Sequence, residues 1–197
     1  MIDGVTDRAL AGRLLVATPV IGDPNFDRTV VLLLDHGDDG ALGLVLNRPT
    51  DVDVGESLPQ WAALVTDPAV VFVGGPVEQA AAIGLGRPTP GSHDREDRPW
   101  SPIPLAADGP GPLATLDLSA DPGPDPRLED VRVFVGYAGW GAGQLKAELD
   151  QEAWLVLPAV GSDLWGDAPE ELWHRVLRRQ RGSLAWLSLY PPDPSGN

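Results

Sequence analysis

From Leu14 onward the chain repeats one pattern: a run of β-branched and aliphatic residues, about four to six long, ended at once by Gly, Pro or Asp. Leu14–Ala17 stops before Pro19, and Thr29–Leu34 is unbroken, as in a strand buried on both faces. His36-Gly37-Asp38-Asp39-Gly40 separates that run from Ala41–Leu46, and an Asp-Gly pair between two such runs signals a hairpin. Val70–Val73, Ala81–Leu85, Leu113–Leu118, Val131–Val135, Trp154–Leu157 and Leu184–Leu189 read as further strands. Most neighbouring runs lack a helix long enough for a parallel crossover between them. The pattern therefore predicts an α+β fold with a mixed, largely antiparallel sheet and a few helices packed on it, and argues against a doubly wound sheet.

The helices follow from caps. Ser57, with Pro59 in the first turn, predicts a helix ending near Thr66-Asp67-Pro68. Gln144–Asp150 reads as a short helix. Asp167, with Glu170 three residues on, opens the clearest one; Leu172, Trp173, Val176 and Leu177 form its apolar stripe, and Gly182 closes it. Residues 86–112 are dense in Pro, Gly and charge without apolar period, and are expected to be a mobile surface loop. A chain of 197 residues with 43% apolar content is read as one domain spanning 1–197 with its own core. Seven Trp against two Tyr and three Phe mean that indole rings supply much of the aromatic packing, and their N–H groups need acceptors.

The sequence contains no cysteine, which removes disulfides, thiolate nucleophiles and Cys-based zinc sites and fits a reducing compartment. Residues Met1–Arg8 carry acids where a signal peptide would be basic, and no apolar run is long enough to span a bilayer. A cytoplasmic protein without membrane association is expected. The 29 acids against 14 Lys and Arg give a net charge of −15, which disfavours nucleic acid because phosphate binding draws its affinity from cations. Arg175, Arg178, Arg179 and Arg181 form the one basic cluster, placed where a helix C-terminus favours cations. Direct DNA binding ranks last. Asp35, His36, Asp38 and Asp39 fail calcium-loop spacing, since Gly37 takes the third position and no Glu arrives at the twelfth, so neither metal nor cofactor is expected. No Gly-x-Ser-x-Gly elbow occurs, and His93 and His174 lie outside any recognisable catalytic context.

Gly136–Gly143 is a Gly-rich stretch between a strand and a helix, the setting in which backbone N–H groups cradle anions. No Gly-Lys-Ser/Thr follows, and Gly139, Gly141 and Gly143 miss the dinucleotide spacing. Two readings stand side by side: a small-ligand niche, or glycines allowing positive φ and tight packing around Trp140. Gln144 and Glu148, four apart, share a helix face and would either bind a ligand or brace the loop.

Four stretches taken together resemble the YqgE/AlgH family: Pro19–Val30; His36 with Gly40–Pro49; Gly74-Gly75-Pro76-Val77; and Gly136-Tyr137-Ala138-Gly139-Trp140 with Gly143-Gln144-Leu145, Glu148 and Trp154. The match is ordered and runs from about Gly12 to the final strand. The resemblance implies a bacterial cytosolic α+β protein whose mixed sheet curls into a barrel-like shape. It also implies a family sometimes labelled transcriptional regulator, with no agreed activity or catalytic residue. The chain departs from that pattern after Pro76, where many members have an Arg-Gly-Phe-Val-Leu-His-like strand; Ala80–Leu85 lacks the His.

Polar and Gly-rich segments at strand ends are expected to meet in one niche formed by His36, Asn47, Arg48, Gly74, Gly75, Tyr137, Gly139, Trp140, Gln144 and Glu148. The function this suggests is non-enzymatic, the binding of a small ligand or a protein partner in a regulatory role. The competing reading is an enzyme using His36 or carboxylates near Gly136–Gln144, which requires two titratable groups in mutual reach.

Overall fold

The structure is a computed structural model that describes residues 10–92, 99–105, 109–180 and 182–188. Its strands are β1 (Arg13–Ala17), β2 (Val30–Gly37), β3 (Gly40–Val45), β4 (Pro49–Asp53), β5 (Val70–Val73), β6 (Val77–Pro88), β7 (Trp100–Pro102), β8 (Ala114–Leu116), β9 (Leu128–Gly141) and β10 (Trp154–Pro158). They form one curled sheet in the order β10-β1-β2-β3-β9-β6-β8-β7, with β5 joining β4 to β9. Every pairing is antiparallel except β5 with β9. The helices are α1 (Val54–Ser57), α2 (Gln144–Asp150), α3 (Gly161–Trp165), α4 (Leu172–Arg178) and α5 (Ser183–Leu187). Among the described residues no helix is long and apolar enough to cross a membrane.

Alternation along β1 and β2 builds two cores at once. Leu14, Val16, Val30, Leu32 and Leu34 face the inside of the curl with Phe72, Phe134 and the α4 stripe. Leu15, Ala17, Val31 and Leu33 face outward, where Trp140, Leu145 and Trp154 cover them. Both strands are therefore buried on each face, as their unbroken apolar runs require. A third cluster, around Trp61, Trp100, Val131 and Val133, backs the other half of the sheet.

The spine is β9. Its first part pairs with β6 on one edge and with β5 through Val133–Val135, and its last part, Ala138–Gly141, passes to β3. The Gly-rich stretch expected to be a loop is thus strand as far as Gly141. The glycines serve close backbone approach: a Cβ on Gly75 would overlap the Tyr137 carbonyl and Ala138 N, and Gly136 at φ +67° sits against the Gly75 and Val77 carbonyl oxygens.

Three other elements differ from expectation. Ser57 ends a single turn capped by Asp53, whose side chain accepts from Glu56 N, because Leu58 before Pro59 leaves the helical region. Leu184–Leu187 is helical, in α5; a short apolar run without β-branched residues carries no period that distinguishes the two states. Within the stretch read as a loop over 86–112, Gly86–Pro88 complete β6 and Trp100–Pro102 form β7, paired with β8; residues 93–98 and 106–108, His93 included, lie outside the described residues.

Candidate functional site

The feature that the motif residues share is the surface loop between β1 and β2, residues 18–29. It is pinned at Thr18 and again from Asp23 to Thr29. Thr18 Oγ1 donates to the Glu152 carbonyl at 2.8 Å, and Thr18 N donates to Ala153 O at 3.0 Å. Asp23 caps a 3-10 turn at Pro24–Phe26, accepting from Asn25 N at 2.9 Å. Arg48 Nη2 donates to Asp27 O at 2.7 Å, and Asn47 Nδ2 to Arg28 O at 2.9 Å. The Arg28 guanidinium lies 5.4 Å from the centre of the Trp173 ring.

At its middle, the Phe26 ring enters an aromatic box, stacked 6.2 Å from Trp140 and edge-on 5.4 Å from Trp154. The two indoles meet edge-to-face at 5.9 Å, and one carboxylate holds both. Glu148 Oε2 accepts from Trp140 Nε1 at 2.9 Å and from Trp154 Nε1 at 2.8 Å, and its Oε1 accepts from Gln144 Nε2 at 3.0 Å. Gln144 in turn accepts from Gly141 N at 3.1 Å, tying α2 to the end of β9. The four-residue spacing of Gln144 and Glu148 does set them side by side, in the bracing arrangement. Both Glu148 oxygens are engaged, which suits an acceptor that positions indoles and not a free base.

The far side of the loop opens on a cleft of about 300 Å³, lined by Pro24, Asn25, Arg48, Gly75, Pro76 and Gln79 among others. Arg48 is exposed and, among the described residues, donates to Asp27 O with one of its five N–H groups. A larger cleft of about 870 Å³ lies elsewhere, between Trp100 and the 120–127 loop, and includes none of the expected site residues.

The ten expected residues therefore do not share one niche. His36 pairs with Ala41 and Ala41 with Trp140, so these three lie in a row on one sheet face. Arg48 lies beyond the other end of β3, roughly 20 Å along the strand direction at 3.3 Å per residue, and Gly75 sits between, against Tyr137 and Ala138 of β9. His36 lines separate clefts with Asp38, Gly40 and, on one side, Gly141 and Lys146. Gly74, Tyr137 and Gly139 belong to the β5–β9–β6 crossing, where Gly74 N donates to Val135 O and the Tyr137 ring covers Gly139. What joins the two groups is the 18–29 loop, whose adjacent residues Phe26 and Asp27 meet Trp140 and Arg48 respectively. Phe26, Asn25, Trp154 and Gln79 are the participants missing from the expected set. A Phe between two turn-forming residues, Asp23 and Asp27, in a chain rich in Trp, was the available signal for the box.

Asn47 is 8% exposed and its Oδ1 accepts from Val30 N at 2.9 Å, so its place is structural. Asn47→Ala leaves that buried N–H without an acceptor and is expected to cost about 2 kcal/mol in urea denaturation. A loss under about 0.5 kcal/mol would show that water replaces the side chain.

The sequence profile of the AlgH-like family matches residues 14–185. A UPF0301 protein of Streptomyces coelicolor is 48% identical over the full length of both chains. A UPF0301 protein of Thermobifida fusca is 48% identical over 96% of each. Among solved structures, the crystal structure of a Corynebacterium diphtheriae protein superposes with a TM-score of 0.81 at 29% identity, over 95% of each chain. The solution structure of the AlgH protein from Pseudomonas aeruginosa gives a TM-score of 0.65 at 32% identity, over 98% of this chain and 99% of that one. Profile, full-length identity and shared fold agree, and the chain belongs to the AlgH-like (UPF0301) family.

Proposed function

We propose that this is a non-enzymatic cytoplasmic binding protein, whose recognition surface is the 18–29 loop and whose Arg48 cleft takes a small ligand bearing an anionic group. The observation that carries this reading is the pinning of the loop. Pro19, Gly22, Asp23, Pro24, Asn25 and Asp27 are exposed and Val20 is 64% exposed, yet Asn47 and Arg48 of the β3–β4 connection bond the backbone at Asp27 and Arg28, Phe26 packs on Trp140 and Trp154, and Arg28 lies over Trp173 of α4. Fixing a residue costs about 1–2 kcal/mol of backbone entropy, so holding an exposed loop rigid is unfavourable unless rigidity serves recognition. Arg48 supplies charge and a planar fork for a carboxylate or phosphate, and Asn25 and Gln79 supply amide partners beside it. The DNA-binding reading draws no support from the basic cluster: Arg179 bonds Asp163 and the Pro158 carbonyl, and Arg175 bonds the Ser162 and Ala168 carbonyls. Arg181 lies outside the described residues.

Thermal shift with inorganic phosphate, pyrophosphate and short dicarboxylates tests the proposal. At least one of these is expected to raise the Tm of the wild type, and Arg48→Ala to abolish the rise while lowering stability by about 1 kcal/mol through loss of its exposed bond to Asp27 O. Binding that survives in Arg48→Ala, or a panel without effect, overturns the reading.

A further inference from the structure

Arg132 stands in the middle of β9 with its side chain among the inner core residues, 1% exposed. Its guanidinium lies 4.8 Å from the centre of the Phe72 ring, and its Nη2 donates to the carbonyls of Asp67 and Gly166. Arg175 of α4 reaches the same turn, donating to Ser162 O at 3.2 Å and Ala168 O at 3.3 Å. A Cβ built on Gly166 would lie 3.1 Å from its Nη2. Two guanidiniums thus grip the segment that follows α3.

Among the described residues neither is within ion-pair distance of a carboxylate. Asp130, the acid whose charge favours protonated Arg132, is itself paired with Arg87. Three buried N–H groups here also lack an acceptor: Arg132 Nε, Arg175 Nε and the indole Nε1 of Trp165, the residue next to Gly166. Burial draws the Arg132 guanidinium down to about 10, with the Arg175 charge acting in the same direction. Buried cations ordinarily find a counter-charge and buried donors an acceptor. What this cluster lacks is both, and one species supplies both.

We propose that the turn at Trp165–Gly166, between Arg132 and Arg175, binds a small inorganic anion of halide size. The net positive charge favours an anion over a water molecule, and half-buried Arg175 gives it a route of entry. The site shares no residue with the Arg48 cleft and stands or falls independently of it.

Bromide provides the probe. Crystals grown in sodium bromide and measured at the bromine edge are expected to show an anomalous peak in contact with Arg132 Nε and Trp165 Nε1. In solution, bromide and chloride are expected to raise the Tm over sodium gluconate at matched ionic strength, by about 5 °C at about a hundred-fold excess over the Kd. Arg48→Ala should keep this rise, and Arg132→Met should lose it. If Arg132→Met does not fold, Arg175→Gln, which removes the half-buried cation, takes its place and should weaken halide affinity at least ten-fold. No peak, or water density alone, overturns the proposal. So does a peak without any halide-specific rise, which would mark an adventitious ion only.

Discussion

Glu148→Ala is expected to lower stability by about 3 kcal/mol and to red-shift the tryptophan emission of the folded protein. One carboxylate satisfies two indole N–H groups in a part-buried box. Hydrogen bonds to a charged group contribute about 1.5–3 kcal/mol each, and two that share an acceptor do not add fully. Glu148→Gln keeps a carbonyl oxygen for the indoles but brings its amide NH₂ against the Nε2 of Gln144, so about 1 kcal/mol is expected. Urea denaturation followed by fluorescence reads both. If Glu148→Ala remained within about 0.5 kcal/mol of wild type, the box would be held by packing alone and Glu148 would not position it.

Gly75→Ala is expected to be more severe, with a loss above about 4 kcal/mol or failure to accumulate as folded protein. The added Cβ overlaps only backbone atoms, the Tyr137 carbonyl and Ala138 N, and no flexible side chain can move aside. Relief would require β9 to part from the β5–β6 connection, at the place where both halves of the sheet hang on one strand. Gly123→Ala is the control: at φ +70° with open space around it, it should cost only about 1 kcal/mol. Equal, small losses at both positions would mean that the crossing is looser than described.

The sheet was legible because its strands are short apolar runs cut off by turn residues. The β2–β3 hairpin and α2 fall where Asp39-Gly40 and the Gln144–Asp150 spacing place them. Strand β7 was hidden, since three residues that follow Pro99 and end on Pro102 become a strand only through their partner β8. The Gly136–Gly143 stretch misled for a related reason: glycine signals irregular backbone when read locally, whereas here it permits a regular strand to pass close to another. The alternative of tight packing around Trp140 is the one the geometry supports. The candidate residues are spread over β2, β9, α2 and the β3–β4 and β5–β6 connections, and their assembly into one niche is not encoded locally. Sequence order cannot tell which end of a strand a residue reaches until pairing is known: His36 of β2 lies beside the hairpin end of β3, and Arg48 follows its other end. The role of Phe26 was hidden likewise, because its partners Trp140 and Trp154 lie more than a hundred residues away.

The aromatic box holds the 18–29 loop rigid, and ¹⁵N relaxation of the loop amides tests this most directly. Order parameters for Val20, Ile21, Gly22 and Asn25 are expected near 0.8 in the wild type, close to those of β2, and below about 0.6 in Phe26→Ala while β2 stays unchanged. Loop values already below about 0.6 in the wild type, or a Phe26→Ala loop as ordered as the wild type, would contradict the account.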